Sequence, residues 1–281
     1  MLQLSHRLRM APMLEADKVF AGSIPENYDR HMVPLIFEPY AADMARRAAA
    51  LSPHSVLEIA AGTGVATRAL APKLPRDARY VVSDLNQAML DYAASRQPAD
   101  DRLEWRQADA LALPFEDDTF DVVFCQFGAM FFPDRVAGYR EARRVLKPGG
   151  RFLFSVWDRI EENIFADDVT KALARMFPAD PPRFLARTPH GYHDTAQIRR
   201  DVEAAGFSRI VIETRTEQSR APSARVPAVA YCQGTLIRNE IEARAGNLEA
   251  ATDSAEAAIA GRHGHGAVAA KIQAHVIAAA A

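Results

Sequence analysis

Three acids, Glu58, Asp84 and Asp109, lie at the ends of short apolar runs, and a turn through Gly62 and Gly64 follows the first of them. Carboxylates accept hydrogen bonds and attract cations, so this set suits a ligand bearing hydroxyl, amino or ammonium groups. Glycine has no Cβ, which lets the main chain turn sharply at Gly62 and Gly64 and a ligand approach it closely. Asp84 lies 20 positions after Gly64, about the separation at which a carboxylate grips ribose hydroxyls. An acid in that place can equally cap a following helix.

Holding these residues together requires strands alternating with helices. Ser55 to Ile59 reads as a buried strand, and a helical pattern begins directly after the glycines, at Val65 to Leu70. Tyr80 to Asp84, Leu103 to Ala110, Phe120 to Phe127 and Arg151 to Trp157 read as four further strands. Leu85 to Ala94 is helical, and another helix stops at Leu146 to Gly150, where proline cannot continue it and glycine accepts a left-handed cap.

The order Glu58-x-x-x-Gly62-x-Gly64 resembles motif I of the class I S-adenosylmethionine-dependent methyltransferases, whose fuller pattern has another glycine where Ala60 stands. Asp84, Asp109 and the stretch from Asp121 to Gly150 extend the resemblance over residues 55 to 157, and it points to the small-molecule branch that includes quinone-biosynthesis enzymes. The implied fold is α/β: a Rossmann-like, seven-stranded, mostly parallel sheet with helices on both faces. The implied cofactor is S-adenosylmethionine, with S-adenosylhomocysteine as product. Its site would comprise Glu58, Ala60, Gly62, Thr63, Gly64, Asp84, Leu85, Met89, Asp109, Ala110 and Gln126. Glu58 would attract the ammonium, Asp84 hold the ribose and Asp109 face the adenine amino group. A dinucleotide fold is the competing reading, but its third glycine position holds Thr67. An NAD-dependent oxidoreductase and a non-catalytic S-adenosylmethionine-binding module are therefore the alternatives to a methyltransferase.

Residues 1–13 are expected to be an N-terminal extension and 14–281 a single domain. Within it, the cofactor half covers 50–157, a lid 160–195, and closing strands with a helical insert 207–281. Phe20 to His31 reads as a loop leading to a helix with Leu35, Ile36, Tyr40 and Met44 on one face, a segment that should cover the cofactor. Tyr28 and His31 are substrate-side candidates there. The lid contributes an apolar stripe from Ile164 to Phe177, better suited to core than to substrate, and then the candidates His190, Tyr192 and His193. Ile210 to Thr214 and Ile272 to Ile277 are the expected last two strands, with helical pieces around Val226 to Ala243 and Glu249 to Ala260 between them.

A hydrophobic content of 49% supports a sizeable core. The formal net charge of −2, without a dense Lys/Arg run, lacks the electrostatic footprint of a nucleic-acid binder. Two cysteines, Cys125 and Cys232, make no disulfide framework, and no apolar run reaches membrane-spanning length, so a cytoplasmic enzyme without membrane insertion is expected. His263-Gly264-His265 supplies no third ligand, and no metal is expected. The tip Cys125-Gln126-Phe127-Gly128 departs from the Asn/Asp-Pro-Pro-Tyr-like motif of enzymes that methylate nucleobase or protein amide groups, which favours a small-molecule acceptor. A sulfonium methyl is already activated, so orientation can carry most of the rate and a dedicated base is not required.

Overall fold

A computed structural model describes residues 24–281. The expected extension, residues 1–13, and the start of the loop from Phe20 lie outside the described residues. From Ile24 the chain is helical rather than a loop: α1 (Ile24–Asn27), a π-helix (Tyr28–Phe37) and α2 (Glu38–Ala49) follow one another without a break. A π-helix is rare and frequent at functional sites, and no sequence period announces one.

The seven strands are β1 (Ser55–Glu58), β2 (Arg79–Asp84), β3 (Leu103–Gln107), β4 (Phe120–Gln126), β5 (Leu146–Trp157), β6 (Ser208–Ala221) and β7 (Val268–Ala280). They form one sheet in the order β3-β2-β1-β4-β5-β7-β6. The first five pair in parallel, while β7 runs antiparallel to both β5 and β6. The expected α/β sheet is thus present.

Alternating side chains divide the core into two layers. On one face Val56, Val82 and Phe124 pack with Ala45 and Met44 of α2 and with Leu70 and Leu90, which belong to α3 (Val65–Leu70) and α4 (Gln87–Arg96). On the other, Leu57, Val81 and Val123 join Tyr139, Ile198 and Val202 of α5 (Arg135–Val145) and α8 (Thr195–Ala204). Between β5 and α8 lie α6 (Ile164–Met176) and the short α7 (Phe184–Arg187). The stripe Phe165, Val169 and Leu173 of α6 is fully buried in the core.

Several strand limits differ from the sequence reading. β3 ends at Gln107, and Asp109 instead makes an isolated bridge with Ala112. β5 begins at Leu146. The largest difference is at the end of the chain, where β6 and β7 are much longer than the apolar runs Ile210 to Thr214 and Ile272 to Ile277. Only Ala274 to Ala280 of β7 pairs with β5, so Thr216–Ala221 and Val268–Gln273 continue as a two-stranded ribbon. Because β7 is antiparallel to β5, the ribbon projects past the carboxyl ends of the parallel strands. It carries α9 (Arg225–Gly234), α10 (Ile237–Ala243) and α11 (Leu248–His263) over that edge. Among the described residues no helix is long and apolar enough to cross a membrane.

Candidate active site

The edge beneath these helices is the crevice where open α/β sheets bind ligands. β1 ends at Glu58, and the turn that follows places Ala60 (φ 56°), Gly62 (φ 57°) and Gly64 (φ 81°) in the left-handed region. The turn is sewn to both neighbouring strands. The Ile59 amide donates to the Phe124 carbonyl, the Ala61 amide to the Ser83 carbonyl, and the Ser83 hydroxyl to the Glu58 carbonyl. A Cβ at Gly62 would point into open space, whereas one at Gly64 would press on Ala93 at 3.0 Å. Ala60 holds a conformation that costs an ordinary residue about 1–2 kcal/mol. Its methyl group also explains a second glycine, since a Cβ on Gly128 would stand 2.3 Å from it.

The acids differ in setting. Glu58 is buried, and its Oε2 accepts hydrogen bonds from the Thr67 hydroxyl at 2.7 Å and from the Tyr80 hydroxyl. Burial pushes its carboxyl up to about 7, with those two donors opposing the shift. Thr67, which breaks the dinucleotide pattern, thus serves the motif I acid. Asp84 accepts from the Gly62 amide and the Asn86 amide, each at 2.8 Å, and burial raises its carboxyl. The cap of α4 is Asn86 instead, whose side chain accepts from the Ala88 amide. Asp109 is exposed at the rim and accepts from the Leu111 amide at 2.9 Å.

These elements enclose a cavity of about 240 Å³. Of the residues expected around the cofactor, Glu58, Ala60, Gly62, Thr63, Asp84, Leu85, Met89, Asp109, Ala110 and Gln126 all line it. Gly64 does not; it shapes the turn from behind. Two buried polar atoms in the lining have no protein partner among the described residues, Thr63 Oγ1 and Gln126 Oε1. Buried polar groups are normally satisfied, so these two await a ligand or water.

On the acceptor side, Tyr28 and His190 line the cavity, while His31, Tyr192 and His193 do not. The Tyr28 ring lies 5.2 Å from Phe37, tilted by 32°, and burial together with Asp84 and Asp29 raises its phenol. Tyr192 is a core residue whose hydroxyl donates to Asp201 at 2.8 Å, with the Arg135 guanidinium over its ring. His193 binds the His190 carbonyl through Nδ1 at 2.9 Å, supporting the loop from outside. His31 sits half-buried on the π-helix, away from the cavity.

Sequence reasoning missed much of the wall. Phe127, with φ 55°, stacks on Trp157 at 3.9 Å and 8° and meets Phe37 edge-on. Phe184 and Leu185 of α7, Tyr231 of α9, and Thr235 and Leu236 close the chamber, so the insert between the last two strands is part of the site. No motif marks those residues. The one available signal was Trp157, a large aromatic at the carboxyl end of a parallel strand.

A family model described as a methyltransferase domain matches residues 57–154. A demethylmenaquinone methyltransferase of Mycolicibacterium gilvum is 34% identical over 175 residues, covering 59% of this chain and 73% of the relative. The chain belongs to the class I S-adenosylmethionine-dependent methyltransferases. A ubiquinone/menaquinone biosynthesis C-methyltransferase of Idiomarina loihiensis is 32% identical over 178 residues, covering 57% of this methyltransferase and 69% of the relative. Among solved structures, the YcgJ protein of Bacillus subtilis superimposes with a TM-score of 0.56 at 19% identity, over 86% of this chain and 98% of its own. A Haemonchus contortus phosphoethanolamine N-methyltransferase 2 bound to S-adenosyl-L-methionine reaches the same TM-score at 18% identity, over 91% of this chain and 56% of its own. Both likenesses show the fold. The oxidoreductase and non-catalytic alternatives give way to an S-adenosylmethionine-dependent methyltransferase.

Proposed function

We propose that this enzyme transfers a methyl group to a small, largely apolar, ring-bearing molecule of the quinone-precursor kind. One continuous cavity supports the reading: it joins the acid-and-glycine end on β1 to β3 to an aromatic chamber built by Phe37, Phe127, Trp157 and Tyr231. Its relatives named for menaquinone and ubiquinone biosynthesis favour such an acceptor.

Bound S-adenosylmethionine supplies a methyl group already activated by a positive sulfur. Toward it, Asp84 offers both carboxylate oxygens to ribose hydroxyls while its bonds to the Gly62 and Asn86 amides fix its angle. Asp109 would meet the adenine amino group at the rim, Leu85 and Met89 would flank the base, and Glu58, Thr63 and Gln126 would meet the methionine end. Open space beyond Gly62 leaves the main chain free to contact the ligand. The Phe127–Trp157 stack and the π-helix exclude water and hold a flat acceptor in line, and orientation of this kind can carry about 7–11 kcal/mol of a barrier. We place the reaction in the cytoplasm, without a metal.

Incubation with methyl-labelled S-adenosylmethionine against separate pools of small metabolites, RNA and protein tests the reading. Label is expected in an apolar small molecule, and label confined to a macromolecular pool would refute it.

A further inference from the structure

The acid and glycine residues gather at the ends of β1, β2 and β3, whereas His190 hangs from the end of β5, on the far side of β4 in the sheet order. It therefore belongs to the aromatic chamber. Its placement is over-determined. The His190 amide donates to the Leu185 carbonyl at 3.0 Å, and Nδ1 lies 2.8 Å from the Asp158 carbonyl oxygen just past β5. The next residue must be glycine, because a Cβ on Gly191 would come within 2.1 Å of the Arg187 carbonyl oxygen. His193 clamps the His190 carbonyl from outside.

This clamp fixes the tautomer. A carbonyl oxygen only accepts, so Nδ1 carries the hydrogen, and a neutral ring leaves Nε2 bare with a lone pair. Asp158, Glu161 and His193 are the titratable neighbours; burial, with His193 acting in the same direction, outweighs Asp158 and Glu161 and keeps the ring neutral. Nε2 meets no protein donor among the described residues, although His190 lines the cavity with its ring 6.1 Å from that of Trp157. The polar groups that the insert brings there behave differently: the Thr235 hydroxyl is already donated to the Tyr231 carbonyl at 2.7 Å, and the Tyr231 phenol is itself a donor. A fixed acceptor without a donor, set beside aromatic rings, selects for a ligand that brings its own hydrogen.

We propose that His190 is the specificity-determining residue for the methyl acceptor: its Nε2 accepts a hydrogen bond from a hydroxyl group on an aromatic ring lodged beside Trp157. This rests on the reading of the aromatic chamber as the acceptor site. An ether or a ring without the hydroxyl would leave Nε2 desolvated and unpaired.

The test is equilibrium binding of 1-naphthol and 1-methoxynaphthalene to the full chain saturated with S-adenosylhomocysteine. Wild type should bind the naphthol roughly tenfold more tightly, the size of one net hydrogen bond. In His190→Phe that preference should vanish while affinity for 1-methoxynaphthalene and for S-adenosylhomocysteine stays within about twofold. His190→Gln, which keeps an acceptor atom, should retain part of it. Equal loss of both ligands would assign His190 to packing alone and overturn the proposal, as would a wild type that binds the two alike or binds neither. Should His190→Phe not fold, the wild-type ratio decides by itself. Failure of the broader reading is distinct, because it shows as an absence of label in the small-molecule pool whatever the naphthol ratio.

Discussion

The Gly62 amide donates to Oδ2 of Asp84 across 2.8 Å, joining the glycine turn after β1 to the acid that ends β2. The two parts of the cofactor motif are thus one hydrogen-bonded unit before any ligand arrives. A carboxylate oxygen can accept more than one donor, so the bond orients Asp84 without consuming it.

Asp84→Ala should weaken S-adenosylmethionine binding by at least about tenfold, since each hydrogen bond to a charged partner contributes about 1.5–3 kcal/mol and 1.4 kcal/mol is a decade. It also strips the Gly62 and Asn86 amides of their acceptor, so a lower melting temperature should accompany the loss. Asp84→Asn keeps an acceptor oxygen and should melt closer to wild type while still binding weakly. Calorimetry and thermal denaturation report the two effects separately, and near wild-type affinity in a folded Asp84→Ala protein would take Asp84 out of the site.

Ala60 and Gly128 should behave as a coupled pair. Gly128→Ala places a Cβ 2.3 Å from the Ala60 Cβ and 2.9 Å from the Cys125 sulfur, so the turn must shift or β4 must give. Overpacking of this kind costs about 1–3 kcal/mol, and cofactor affinity should fall with stability. Ala60→Gly removes the opposing methyl and relaxes a left-handed alanine, so the double variant should regain part of both losses. Additive effects in a double-mutant cycle would show that the 2.3 Å approach has no energetic consequence.

How far the sequence could be read follows the range of the interactions. The turn from Glu58 to Gly64 and Asp84 depend on neighbours and on backbone φ, and they were legible as strings; the helix expected to stop on a glycine cap within Leu146 to Gly150 instead ends at Val145, and that stretch opens β5. The sheet was legible too, except where β6 and β7 support each other as a ribbon, because residues such as Glu217, Gln218 and Lys271 carry no apolar run. The chamber was not legible. Tyr231 joins Phe127 and Trp157 in the wall of one cavity only because that ribbon swings the insert over the strand ends, and no local pattern encodes such a return. The π-helix was hidden for a related reason: its residues Met32, Leu35 and Ile36 are buried on a period that a helical reading takes as ordinary. His190 and Tyr192 looked alike as strings, two residues apart in one loop, yet one lines the cavity and the other hydrogen-bonds Asp201 in the core.

Glu58 and His190 should pull stability in opposite directions with pH. Burial raises the Glu58 carboxyl from 4.5 to about 7, so the folded state binds more protons than the unfolded chain between those values. The stability this gives is fully present below 4.5 and is lost as pH rises through 7, roughly 3 kcal/mol in all. Burial lowers the His190 imidazole from 6.5 to about 4, so here the unfolded chain binds more protons. Its contribution is present above 6.5 and is lost as pH falls through 4, again roughly 3 kcal/mol. Across pH 4.5–6.5 the two slopes oppose and largely cancel. Glu58→Gln removes one of them while keeping an oxygen for the Thr67 and Tyr80 hydroxyls. Relative to wild type, the ligand-free variant should therefore gain stability steadily from pH 4.5 to 7, and His190→Gln should lose it from pH 4 to 6.5. Urea denaturation at half-unit pH steps measures both differences, and a Glu58→Gln difference that is flat with pH would mean that Glu58 is ionised throughout in the ligand-free protein.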